Sequence, residues 1–84
     1  MQYQLPPQLD YKQVPYQFKM VVDLLKQNRG LDIDLSTISR VDSSGIALLV
    51  ELKNMAKRHN WQLNYLSPTS EILKLCSLYS LNIL

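Results

Sequence analysis

Leu31-Asp32-Ile33-Asp34-Leu35 runs into Ser36-Thr37-Ile38-Ser39 and then Arg40-Val41-Asp42-Ser43-Ser44-Gly45, and this stretch decides the fold. Its first five residues alternate apolar and charged, the period of a strand, with Leu31, Ile33 and Leu35 on one face. Residues 46–59 hold no Gly or Pro and are rich in Ala, Leu, Met, Lys and Glu, so they read as helix. The polar turn 36–42 lies between the two. A strand delivered onto a helix N-terminus presents free backbone N–H groups and a positive dipole end. Asp42, Ser43 and Ser44 sit at that corner, and function is expected there.

Working outward, residues 1–5 read as a short strand with Tyr3 and Leu5 on one face, stopped by Pro6-Pro7, which cannot donate to a ladder. Residues 9–13 read as loop. Val14-Pro15 opens a first helix, continued through 17–27, with Val14, Phe18, Val21, Val22 and Leu25 as one buried stripe. Asn28-Arg29-Gly30 ends it, Gly30 being suited to a left-handed cap. Asn60 closes the second helix. Residues 61–66 alternate again, placing Trp61, Leu63 and Tyr65 on one side. Ser67-Pro68 is read as the entry of a third helix, Ser67 as N-cap, with Glu71 in the first turn and Ile72, Leu75, Cys76 and Tyr79 as its apolar stripe. The last residues form a tail tucked against the sheet. The order β-α-β-α-β-α implies an α/β fold with a small, mostly parallel sheet and right-handed crossovers.

The 84 residues allow one domain, 1–84, with a modest core. At 46% hydrophobic residues the chain is too apolar for disorder, and a net charge of +2 gives no strong basic or acidic character. Lys53, Lys57 and Arg58 are the one basic cluster and read as a solvated helix face rather than a nucleic-acid surface. The single Cys76 lies in an apolar pattern and reads as a buried structural thiol. No apolar run approaches the roughly 20 residues that span a bilayer, so a cytoplasmic protein with no direct membrane insertion is expected.

Enzyme signatures are absent. There is no phosphate-binding glycine loop, since Gly30 and Gly45 are the only glycines. His59 has no spaced partner for a metal and reads as a helix C-terminal cation. Ser43 has no base at a recognisable spacing. No catalytic residue, metal or cofactor is expected.

What remains is the surface of the second helix. At about 100° per residue, Gly45, Leu48, Leu49, Leu52, Met55, Ala56 and His59 share one side, the expected core face. Ser43, Ile46, Ala47, Val50 and Asn54 share a second stripe. Such a stripe is either wedged beneath a neighbouring helix or offered to another protein. The second reading is favoured, with Asp42, Ser43, Ile46, Ala47, Val50 and Asn54 in contact and Lys53 and Lys57 as a polar rim. A phosphate on Ser43 would suit the helix N-terminus yet burden an apolar contact with about two negative charges.

The segment from Asp34 through Asp42-Ser43-Ser44-Gly45 to Leu49 resembles the signature of STAS domains, which include anti-sigma-factor antagonists and cytoplasmic domains of sulfate transporters. The resemblance extends through Leu52, Ala56 and Lys57 and into Ile72-Leu73-Lys74-Leu75-Cys76-Ser77-Leu78-Tyr79-Ser80-Leu81. Leu5-Pro6, Gln8-Leu9-Asp10, Ser39-Arg40-Val41-Asp42, Ile46-Ala47-Leu48-Leu49 and Leu78-Tyr79-Ser80-Leu81 make it most similar to the MlaB-type subunit of the phospholipid-transporting ABC complex that maintains outer-membrane lipid asymmetry. The resemblance implies a non-enzymatic accessory subunit on the cytoplasmic ATPase (the MlaF-type subunit), peripheral to the inner membrane and only indirectly linked to the permease. ATP and magnesium would belong to the partner. In the antagonist branch the serine at the position of Ser43 is phosphorylated, which implies the alternative of an anti-sigma-factor antagonist switched at Ser43. In the transporter branch the matching hydroxyl lies at the binding surface. Two departures stand out. The family's usual first strand is lacking ahead of residues 1–5, which implies either a start that lies upstream or a sheet edge open to a partner or to a homodimer of the isolated domain. Pro7 stands where the subgroup often has Gly.

Overall fold

The computed structural model describes residues 1–83. Its elements are β1 (Gln2–Gln4), β2 (Gln8–Leu9), α1 (Val14–Asn28), β3 (Gly30–Asp34), β4 (Arg40–Val41), α2 (Ser43–His59), β5 (Gln62–Leu66) and α3 (Ser70–Leu78). The α/β class and the parallel sheet expected from the alternating pattern are present. β1, β3 and β5 form a parallel sheet in that order, with Tyr3 opposite Ile33 and Leu31 opposite Leu63. β1 and β5 are therefore its edges.

Two short strands occupy what the sequence suggests is loop. Gln8 and Leu9 of β2 pair in parallel with Arg40 and Val41 of β4. The cause is the proline pair: Pro6 and Pro7 have no N–H to donate, so the β1–β3 ladder breaks there and resumes after them. The Pro7 carbonyl still accepts from Ser39 and Arg40 at 2.8 and 3.1 Å, and the Thr37 hydroxyl donates to the Leu5 carbonyl at 3.2 Å. β1–β2 and β3–β4 thus behave as two bent ribbons running side by side.

Strand alternation sorts the faces. Leu31, Ile33 and Leu63 are buried, with Tyr3 and Tyr65 partly so, and α1 packs on β3 while α2 packs on β5. Gln2, Gln4, Asp32, Asp34, Gln62 and Asn64 point the other way and are exposed or half-buried. Leu5, Leu9, Leu25, Leu35, Leu49, Leu52 and Ile72 complete the closed centre of the core.

The helix ends explain themselves with three adjustments. After α1 the left-handed residue is Arg29, at φ 57°, and Gly30 instead opens β3 opposite Gln62. α2 ends as expected at Asn60, left-handed at φ 58°, with the Trp61 N–H returning to the Ala56 carbonyl at 2.9 Å. α3 starts later than Ser67-Pro68 suggests. Ser67 is left-handed (φ 51°) and ends β5, while the Thr69 hydroxyl caps α3 by accepting from the Ile72 N–H. Glu71 is in the first turn, and Ile72 and Cys76 are buried. Tyr79 leaves the expected stripe and is 51% exposed, because the helix has already ended. Leu81 and Ile83 fold back against the core, with the Leu81 N–H on the Cys76 carbonyl at 2.8 Å. Among the described residues no helix is long and apolar enough to cross a membrane.

Candidate functional site

Asp42 builds the corner. It is extended, at φ −107°, and its Oδ1 accepts from the Gly45 N–H at 3.0 Å, making it the N-cap of α2. Its Oδ2 accepts from the Tyr11 N–H at 3.3 Å. One carboxylate thus ties the start of α2 to the loop after β2, a cap worth about 1 kcal/mol. Ser43 is left out of the cap and its side chain is exposed at the first helical position.

Gly45 lets the helix approach. A Cβ there would stand 2.3 Å from the Leu9 carbonyl oxygen and 2.8 Å from Val41 Cγ2. Only a residue without a side chain allows α2 to sit this close to the β2–β4 pair.

The expected contact stripe divides. Ser43, Ala47 and Asn54 are exposed and Val50 is half-buried, so these four line one outward strip of α2. Ile46 is not part of it. At 3% exposure it belongs to the domain's own core. The physical reason is that α2 docks on several partners at once, touching α1, α3, β4 and β5. A helix held on that many sides buries nearly half its circumference, and Ile46 falls just inside the arc. Asp42 is half-buried at the cap, and Lys57 is exposed.

Lys53 is half-buried rather than a free rim charge. Its ammonium donates to the Leu63 carbonyl and lies 5.4 Å from the centre of the Tyr65 ring. Burial, and next the charge of Lys57, hold its pKa below the usual lysine value. Arg58 pairs with Glu51 at 3.1 Å. His59 stacks on Trp61, ring centres 4.4 Å apart.

Tyr11 is the residue that sequence reasoning passes over. Its side chain is 66% exposed, and its backbone is bonded to the Asp42 carboxylate next to Ser43. The signal was weak, a lone tyrosine in a loop, and its relation to α2 arises only from the pairing of β2 with β4. A hollow of about 240 Å³ beside it is lined by Gln8, Asp10, Arg40, Val41 and Asp42. That is smaller than sites that enclose a small molecule. Among the described residues no group of three or more His, Cys, Asp or Glu could hold a metal ion.

A family profile described as "Mlab, STAS domain" matches residues 17–84. This chain belongs to the STAS family. The matched segment of the STAS domain begins inside α1 and contains the whole corner Asp42–Gly45, all of α2 and the C-terminal segment. No curated protein matches the chain.

Proposed function

We propose that this STAS domain is a non-enzymatic accessory subunit that docks on the cytoplasmic ATPase of a bacterial ABC phospholipid transporter and supports its assembly or activity. The observation that carries the proposal is the outward strip of α2. Ser43, Ala47 and Asn54 are exposed around half-buried Val50, and Tyr11 stands beside the helix start. Small side chains let a partner helix or loop approach closely, while an aromatic at the margin supplies contact area. The wording of the family match supports the transporter branch. Nucleotide chemistry then belongs to the partner, and the domain sits at the inner membrane only through it.

The test is co-expression with the transporter's ATPase. Val50→Asp puts a charge into the centre of the strip, and Ser43→Glu places one at its end. Each is expected to abolish co-purification while the circular dichroism and melting temperature of the isolated domain stay near wild type. Ser43→Ala should retain binding. Undiminished co-purification of both charged variants would remove the strip from the interface.

A second reading rests on Ser43 itself. Its exposed hydroxyl takes no part in capping α2, so a kinase could reach it without dismantling the helix. This is the anti-sigma-factor-antagonist role, and it predicts a phosphoryl mass gain at Ser43 in protein isolated from cells. Its absence under all growth conditions argues for the transporter role.

A further inference from the structure

Beyond the Ser43 strip, α2 has a second feature on its C-terminal half. The fold-back of the C-terminal segment leaves a cleft of about 310 Å³ between that segment and α2, lined by Lys53, Asn54, Lys57, Asn82 and Ile83. Lys53 and Lys57 are one helical turn apart on it, and neither forms an ion pair among the described residues. Like charges at this spacing repel. Lys57 lies in the last turn, where the helix dipole welcomes a cation, but Lys53 lies a turn earlier and gains little from it.

Lys53 is also held in place. One of its three N–H donors is spent on the Leu63 carbonyl, and its stem is half-buried beside Tyr65. Two donors remain on a fixed ammonium, next to the exposed one of Lys57, two amides and an apolar wall from Ile83. Cationic donors already in position recognise an anion with little ordering cost.

We infer that this cleft receives a carboxylate side chain, aspartate or glutamate, from the protein that docks on α2. The inference deepens the docking proposal by naming the chemistry on the partner's side, and depends on it only for which protein carries the acid. A protein segment fits better than an anionic membrane. The cleft is concave and has two cations, one of them recessed, whereas adsorption to a bilayer uses several protruding lysines. Its volume suits one acidic side chain and its flanks. It also continues the Ser43–Ala47–Val50–Asn54 strip, since Asn54 belongs to both.

The experiment has two arms, both on the full chain. In the first, a blocked peptide amide with a single glutamate is titrated into labelled protein and followed by NMR, beside the same peptide with glutamine. The glutamate peptide should give saturable shifts at Lys53, Asn54, Lys57 and Ile83, with the glutamine peptide at least about tenfold weaker. Lys57→Glu should abolish the shifts. It is the safer variant because Lys57 is exposed, whereas Lys53→Gln disturbs a packed stem and is read only if its fold is intact.

In the second arm the ATPase is titrated by calorimetry. Lys57→Glu should weaken association about tenfold or more and flatten its dependence on salt. If the ATPase fails to bind the wild-type chain while the glutamate peptide still shifts the cleft, the docking proposal falls and the carboxylate receptor stands. Three results overturn the receptor. One is ATPase affinity unaffected by Lys57→Glu. Another is inorganic phosphate shifting the same residues as strongly as the glutamate peptide. The third is phosphatidylglycerol vesicles binding the wild type and releasing the Lys57→Glu variant.

Discussion

Gly45 shows how one missing side chain can set the geometry of a whole corner. A methyl group there would overlap the Leu9 carbonyl, a backbone atom fixed by its place in β2. Relief requires α2 to move off the β2–β4 pair, so Gly45→Ala is expected to cost about 1–3 kcal/mol, as overpacking does. Urea denaturation with a constant m-value checks this. The same substitution at Gly30 meets only ordinary contacts at 3.8 Å from Gln62 and should be near neutral. Removing the cap by Asp42→Ala should cost about 1 kcal/mol, with Asp42→Asn recovering most of it. The sequence points to this corner as the expected site but cannot say why glycine is there, because the strand it approaches is two residues long and shows no period. Ile46 fails for a related reason. A helical projection ranks residues around one axis, while burial depends on how many neighbours crowd that axis.

At the scale of elements, the long periodic segments were legible and the punctuation was less so. Residues 31–35 and 46–59 carry their periods plainly, and both elements are found there with small shifts at the ends. The start of α3 was not legible, since Ser67, Thr69 and Ser70 are all acceptable caps and only the backbone distinguishes them. Thr69→Ala should therefore lower stability by about 1 kcal/mol, measured by thermal or urea unfolding. β5 carries a second test. The Tyr65 hydroxyl donates to the Leu49 carbonyl at 2.7 Å, and burial pushes its pKa well above the ordinary tyrosine value of 10.0. A raised folded pKa gives stability that is complete below the unfolded value and is lost as the pH rises beyond it. Lys53, held low, has the opposite sign near pH 10.5, but it is partly exposed and screened. Tyr65 should dominate, so stability is expected to fall above about pH 10. Tyr65→Phe should cost roughly 1 kcal/mol at neutral pH through the lost hydrogen bond, and should show a shallower alkaline decline.

The molecule as a whole is built on a sheet with one dry face. Parallel sheets ordinarily bury both faces beneath helices. Here the outward positions of β1, β3 and β5 are Gln2, Gln4, Asp32, Asp34, Gln62 and Asn64. They bond to one another across strands: Gln4 donates to Asp34 at 3.2 Å and Asn64 to Asp32 at 3.1 Å. The Ser36 backbone N–H, the foremost cause, also holds the Asp34 carboxyl below the usual aspartate range. A face so polar and so bonded within itself needs no helix to cover it, which is how a chain this small can keep a single core. Neighbouring residues on one strand should then respond very differently to truncation. Leu63→Ala, on the dry side of β5, should cost about 2–5 kcal/mol. Asn64→Ala, on the wet side, should stay within about 0.5 kcal/mol. The comparison is made by urea unfolding at two protein concentrations differing a hundredfold. If the polar face is instead covered by a second copy of the chain, Asn64→Ala becomes costly and the midpoint moves with concentration, because association stabilises only the folded state. A midpoint independent of concentration, with the two substitutions widely separated, is the signature of one-sided packing in a domain that folds alone.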